Sequence, residues 1–307
     1  MNTLSKGSGT SLVTLTAGDL VVELVPEIGG SVASFRMCRE SGIVNLMRPM
    51  SEEAQTSRNA GGAAMFPMVP YANRITGNCF DFEGRTYRFR PNVPAERFAI
   101  HGTGWQSEWT VGALSSVSAD LHLDHLRSDE PYAYSAIQRF RLHPDRLTVT
   151  TLVTNRGDGV MPFGFGQHPC WDRHADVTLR FRSSHYWLGG AERVATERIA
   201  TPPELDFSQA KQLPPSWRDN CYGGWDGCAE VTFPDIGVGL RIEAGHLFRH
   251  LMLYCDPGKA FFCVEPQTHA AGALNRILDN DQEDLGIFVL KPGESAEAEI
   301  AFIPFVI

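Results

Sequence analysis

The sequence predicts an all-β protein built as one large antiparallel β-sandwich, and three observations carry that expectation. Short runs of alternating apolar and polar residues recur from one end of the chain to the other. Turn-forming residues separate them, drawn from 19 prolines and 29 glycines spread along the whole length. Helical periodicity is scarce: only residues 51–58 read as a short helix, and nothing else sustains three turns with an apolar face.

Taken in order, residues 13–15, 20–25 and 32–35 are the first strands, with Pro26 and Gly29-Gly30 between the last two. Residues 80–82 and 86–89 flank Glu83-Gly84, the signature of a hairpin. Residues 133–142 and 147–153 flank His143-Pro144-Asp145-Arg146, a second hairpin. Further strands are expected at 177–181, 228–233, 238–242, 247–254, 260–264, 286–290 and 296–302. Glu297 and Glu299 alternate with Ala296, Ala298 and Ile300, a half-buried pattern. Residues 202–218 read as a long proline-containing loop, a kind that is often functional. With no linker, low-complexity segment or internal repeat, residues 1–307 are expected to form a single domain.

Composition narrows the function. A net charge of −9 and no basic run argue against nucleic acid or an anionic membrane surface as partner. No apolar stretch is long enough to span a bilayer, and the polar N-terminal residues do not read as a signal peptide. Seven scattered cysteines without a C-x-x-C pair suit reduced thiols in a cytoplasm rather than a disulfide framework or a structural zinc site. His168, Cys170 and His174 follow no recognised ligand spacing. Asp279-Asn280-Asp281 with Glu283 and Asp284 lacks the glycine and terminal glutamate of a calcium loop. No metal and no cofactor is therefore expected.

Five stretches place polar groups where a plain sandwich has little use for them. In Phe-Gly-Phe-Gly-Gln-His-Pro-Cys-Trp-Asp, residues 163–172, His168 precedes a proline and is expected at a strand end facing a cleft. It could serve as proton donor, ligand or packed core residue. Asn73 and Arg74 close the apolar run 65–75, and a guanidinium there should meet a carboxylate or a neutral polar ligand. His101-Gly102 lies beside Trp105 and Trp109, whose flat faces would suit a sugar ring or simply a core. Asp219 could accept from hydroxyl groups or form an Asx-turn. Glu265 closes an apolar strand before Pro266, where desolvation would lift its pKa toward neutrality and make it a base.

The order of these pieces resembles the aldose 1-epimerase (galactose mutarotase) family. The matching run comprises Pro26-Glu-Ile-Gly-Gly30, Asn73-Arg-Ile75, His101-Gly102 with Trp109, and Pro131-Tyr132. It continues through Gly166-Gln-His-Pro169, Asp219 with Tyr222, Glu265-Pro-Gln267 and Leu290-Lys-Pro-Gly-Glu294. The resemblance implies a large antiparallel sandwich and a cofactor-free interconversion of the α and β anomers of a free aldose. It further implies Glu265 as general base and His168 as general acid on opposite sides of the anomeric centre, with Arg74, His101, Asp219 and Asn73 holding the sugar. Both titrating groups should sit near neutral pH, since they exchange protonation states in each cycle. Cys170-Trp171 and Thr103-Gly104-Trp105 depart from the family's usual pattern at the pocket and leave the sugar open. A sugar-phosphate epimerase, a glycoside hydrolase using Glu265 with Asp219, and a non-catalytic sugar-binding module are the alternatives. A small sugar is the expected partner, and the protein should be a monomer or homodimer.

Overall fold

The alternation read in the sequence becomes the two faces of each strand. In Tyr134–Leu142 every second residue is buried, and the strand pairs with Leu147–Asn155 across the turn that holds Pro144. The hairpin at Glu83-Gly84 also forms, Cys79–Phe82 against Arg85–Arg88, with Glu83 and Gly84 both at positive φ. That two-residue loop follows the right-handed twist of its strands, and glycine occupies its second position without steric cost. The helix at 51–58 is a five-residue α-helix, Glu52–Thr56, whose N-cap Ser51 accepts from the Ala54 backbone N–H.

The computed structural model describes every residue except 1–3, 8–9, 95, 128, 191–192, 194 and 279–284. The acidic run of residues 279–284 lies outside the described residues. Among the described residues two antiparallel sheets dominate, one of twelve strands and one of nine. Leu15, Val22 and Phe35 of the larger sheet and Phe140, Val149 and Phe302 of the smaller share one apolar core. Each such side chain, fully buried, contributes roughly 1.5–3 kcal/mol. With the main core on one face, the middle of the larger sheet is free to carry polar groups on the other.

That middle consists of five neighbouring strands, in the order Met65–Met68, Gly166–Asp172, Phe261–Gln267, His250–Cys255 and Arg218–Gly223. Phe262, Val264, Leu251 and Leu253 turn into the core. Cys263, Glu265, Met252 and Tyr254, alternating with them, turn to the opposite face.

Three expectations change here. His168 and Glu265 lie inside their strands rather than at the ends, and Asp219 is the second residue of a strand rather than the end of a loop. The span 202–218 itself contains a 3₁₀ turn, Pro203–Leu205, and a two-residue strand, Lys211–Gln212. Pro169 and Pro266 do not end the strands of His168 and Glu265; they interrupt a ladder that then continues. Gly166 pairs with Gln267 and Cys170 with Cys263, in one register. Between these pairs stand Pro169 and Pro266, neither of which has an N–H to give. The interruption lies where His168 and Glu265 face each other.

Candidate active site

Sheet register assembles the site floor in two rows. One runs Cys170, Cys263, Tyr254, Asp219 across four strands. The other, two residues along, runs Phe66, His168, Glu265, Met252, Cys221, with His168 carried opposite Glu265 by the register on either side. His168 Nε2 stands 3.2 Å from Glu265 Oε1. The other ring nitrogen, Nδ1, lies 3.6 Å from Cys170 Sγ, and the ring stacks on Phe66 at 4.3 Å between centroids. These three neighbours fix the imidazole in plane and in rotation.

Two loops close over this floor. Asn73 and His101 both adopt positive φ, near 61°. Asparagine tolerates that region through its short polar side chain, and here its Oδ1 accepts from the Arg74 backbone N–H at 2.9 Å. The Asn73 N–H donates to His101 Nδ1 at 3.0 Å, so that nitrogen is unprotonated and Nε2 carries the hydrogen. Gly102 follows, with φ of 67°, and a Cβ there would stand 2.1 Å from the Val69 carbonyl oxygen. The glycine thus serves close approach of backbone to backbone. His101 presents its edge to His168 with ring centroids 5.3 Å apart.

Arg74 is buried and meets carboxylates, as a guanidinium there must. It pairs with both oxygens of Glu96 at 3.0 Å and reaches Asp219 Oδ2 at 3.4 Å. Trp109 belongs to the core, its indole N–H donating to the Gly104 carbonyl, and Trp105 is buried against Phe66. Neither offers an open face to a sugar.

Electrostatics separate the roles. Burial pushes the Glu265 carboxyl up, Asp219 and Cys170 add to that, and His168 pulls it back, leaving it at about 7. Burial opposes the His168 imidazolium, but the charge of Glu265 and the Cys170 thiol outweigh it and hold His168 up at about 9. The histidine therefore sits above the neutral range expected from sequence, because its acid/base partner is in contact with it. Between these values the pair is an ion pair of carboxylate and imidazolium. Burial and the nearby His168 and Arg74 drive His101 well below the usual imidazole range, in accord with its hydrogen bonding. Burial raises Asp219 against the pull of Arg74. The contact to Cys263 and the nearby His168 lower Cys170 despite its burial.

All six residues singled out from sequence gather in this part of the structure. Three others had no readable signal. Glu96 anchors Arg74 from a loop of ordinary composition. His269 accepts the Ala72 N–H and donates to the Ala270 carbonyl, holding the segment before Asn73. Cys263 lies 93 positions from Cys170, yet their sulfurs are 3.1 Å apart. His174, grouped with His168 and Cys170 in sequence, instead pairs with Asp235. A cleft of about 550 Å³, lined by Arg193, Trp217, Arg218, Asp219 and Asn220 among others, opens beside the site at Asp219. A second, of about 600 Å³, touches Gly102 and Thr103 but none of the six.

Fold and site together define a galactose mutarotase-like antiparallel β-sandwich with a half-buried histidine paired to a buried glutamate on its larger sheet. The family model for aldose 1-epimerase matches residues 11–302. The chain belongs to the aldose 1-epimerase family. It is 35% identical over 299 residues to the uncharacterized protein YphB of Escherichia coli K12, covering 95% of this chain and 98% of that one. The crystal structure of a proposed aldose 1-epimerase from E. coli K12 superposes with a TM-score of 0.87 at 34% identity, covering 97% of this chain and all of that one. A galactose mutarotase-like protein from Clostridium acetobutylicum shares the fold at 18% identity, with a TM-score of 0.83 over 98% of this chain and 96% of that one. Among the described residues no helix is long and apolar enough to cross a membrane.

Proposed function

We propose that the protein is a mutarotase, interconverting the α and β anomers of a free aldose. Glu265 takes the proton of the C1 hydroxyl while His168 gives one to the ring oxygen. The C1–O5 bond opens, rotation about C1–C2 presents the other aldehyde face, and the steps reverse. Arg74, His101, Asp219 and Asn73 hold the sugar, with Arg74 itself held by Glu96. The observation that carries this reading is the direct opposition of His168 and Glu265, 3.2 Å apart on one sheet face. His168 and Glu265 stand side by side, not on opposite sides of the anomeric centre as the family resemblance implies. That arrangement suits the chemistry, because the two oxygens they serve are bonded to the same carbon. Asp219 is engaged with Arg74, which argues against its pairing with Glu265 as the second carboxylate of a glycosidase.

The test is anomer exchange, followed by NMR or polarimetry, across common aldoses. Arg193 and Arg218 line the cleft beside Asp219, so aldose phosphates belong in the same screen. Exchange of a free monosaccharide without release of reducing sugar from glycosides is expected. Exhaustive chelation should not lower the rate. Hydrolysis, or a requirement for an added ion, would sink the proposal.

The pH dependence follows from the two shifts. Glu265 must be ionised and His168 protonated, so kcat/KM should rise as pH passes about 7 and fall as it passes about 9. Because the groups interact strongly, the two limbs belong to the pair rather than to either residue. A profile flat across that range would show that the pair does not carry the proton transfers.

A further inference from the structure

The proposed chemistry uses His168 through Nε2, the nitrogen facing Glu265. It leaves Nδ1 and two cysteines without a task. Alternation along a strand puts His168 and Cys170 on one face, and likewise Cys263 and Glu265 on the neighbouring strand. The register then sets Cys170 opposite Cys263. One donor atom from each of His168, Cys170 and Cys263 falls within 4.8 Å of the others. We propose that His168 Nδ1, Cys170 Sγ and Cys263 Sγ form a site for a thiophilic divalent cation of the zinc type, and that its occupation switches off proton delivery by His168.

The geometry is close to what such an ion needs. Zinc–nitrogen bonds of about 2.0–2.1 Å and zinc–sulfur bonds of about 2.3 Å at tetrahedral angles set nitrogen and sulfur roughly 3.6 Å apart and two sulfurs roughly 3.8 Å apart. Cys170 Sγ lies 3.6 Å from His168 Nδ1, and the two sulfurs lie 3.1 Å from each other. The sulfurs must part by roughly 0.7 Å to meet the expected spacing, and His168 Nδ1 lies within 4.8 Å of Cys263 Sγ. Thiolate and imidazole donors favour zinc over magnesium or calcium, which take oxygen. The charges also balance: a dication with two thiolates and a neutral imidazole is net neutral, which suits cysteines that are only 1% and 0% exposed. Three protein ligands leave a fourth position for water or a sugar hydroxyl.

The consequence for catalysis is chemical. Binding displaces the thiol protons and the proton on Nδ1. The ring then keeps a single N–H, on Nε2, and a neutral imidazole N–H is a far weaker acid than imidazolium. The loss of activity rests on the mutarotase reading given above, whereas the site rests on geometry alone.

The experiment uses reduced, metal-free protein and two readouts. Titration with Cd²⁺ alone, followed by the ultraviolet cadmium–thiolate absorption, should saturate at one ion per chain. X-ray absorption of the Zn²⁺-loaded wild-type protein should show two sulfurs and one imidazole nitrogen around the metal, and it depends on no variant being foldable. Cys263→Ser should bind Cd²⁺ at least about tenfold more weakly, since even loss of an outer-shell partner costs about 10–100-fold. One equivalent of Zn²⁺ should lower anomer exchange of the wild type by about 100-fold or more, the contribution of an acid catalyst. A chelator should restore it, and Cys263→Ser should resist the inhibition. An oxygen- and nitrogen-only shell, or equal metal response in wild type and Cys263→Ser, overturns the site. Saturation by zinc with undiminished exchange overturns the switch. A metal-free protein that binds Cd²⁺ as described but exchanges no anomers supports the site and removes the mutarotase reading.

Discussion

Glu265→Gln is expected to lower anomer exchange by about 100-fold or more while leaving sugar affinity near that of the wild type. Glutamine keeps the shape of the side chain and one carbonyl acceptor, but it cannot take up the C1 proton at neutral pH. The residues proposed to hold the sugar are positioned elsewhere: Arg74 by Glu96, and His101 by the Asn73 backbone. Their contacts should survive the change, so the loss should fall on turnover rather than on binding. A second readout does not depend on activity. The charge of Glu265 is the largest of the influences that lift His168 to about 9 against the effect of burial. With glutamine in place, the imidazole should titrate lower, and NMR of the His168 ring protons would follow it. A variant that binds sugar and exchanges anomers at near-normal rates would return Glu265 to a structural carboxylate. An unmoved His168 titration would show that the two are not coupled as the geometry places them.

Much of this site was legible in the chain before its fold was known, and the boundary of legibility has a physical cause. Local signals carried well. The hairpins at Glu83-Gly84 and His143-Pro144-Asp145-Arg146 depend on nearby turn chemistry, and both formed. A glutamate at residue 265 in an apolar strand stood out because an ionised group there needs a reason. Pairing across the sheet did not carry. The spacings His168-x-Cys170 and Cys263-x-Glu265 become one four-residue cluster only when their strands are set side by side, and register is a non-local property. Proline misled for a related reason. Its local meaning is an ended strand, whereas two prolines on facing strands open a gap in the ladder and leave both strands intact. Glu96 had no signal at all, since an acid in a loop becomes informative only once Arg74 is found against it.

His168→Ala should cut turnover by about 100-fold or more, because it removes the proton donor to the ring oxygen. The protein should remain folded. His168 lies mid-strand, but its side chain is on the polar face, 15% exposed, and away from the main core. Losing its stack on Phe66 should cost roughly 0.5–1.5 kcal/mol, the usual worth of an aromatic pair. The more discriminating consequence concerns the residue left behind. Glu265 is buried, and His168 is the strongest influence holding its carboxyl down against that burial. Without the imidazolium, Glu265 should become a weaker acid, with its pKa moved upward from about 7. The residual exchange should therefore need a higher pH to reach its maximum, because the base stays protonated longer as pH rises. The alkaline limb near 9, which belongs to the coupled His168–Glu265 pair, should disappear from the same profile once the pair is broken. A role in packing alone would lower stability without moving either limb. If His168→Ala keeps more than about a tenth of wild-type turnover, or if its profile retains both limbs, His168 is not the acid.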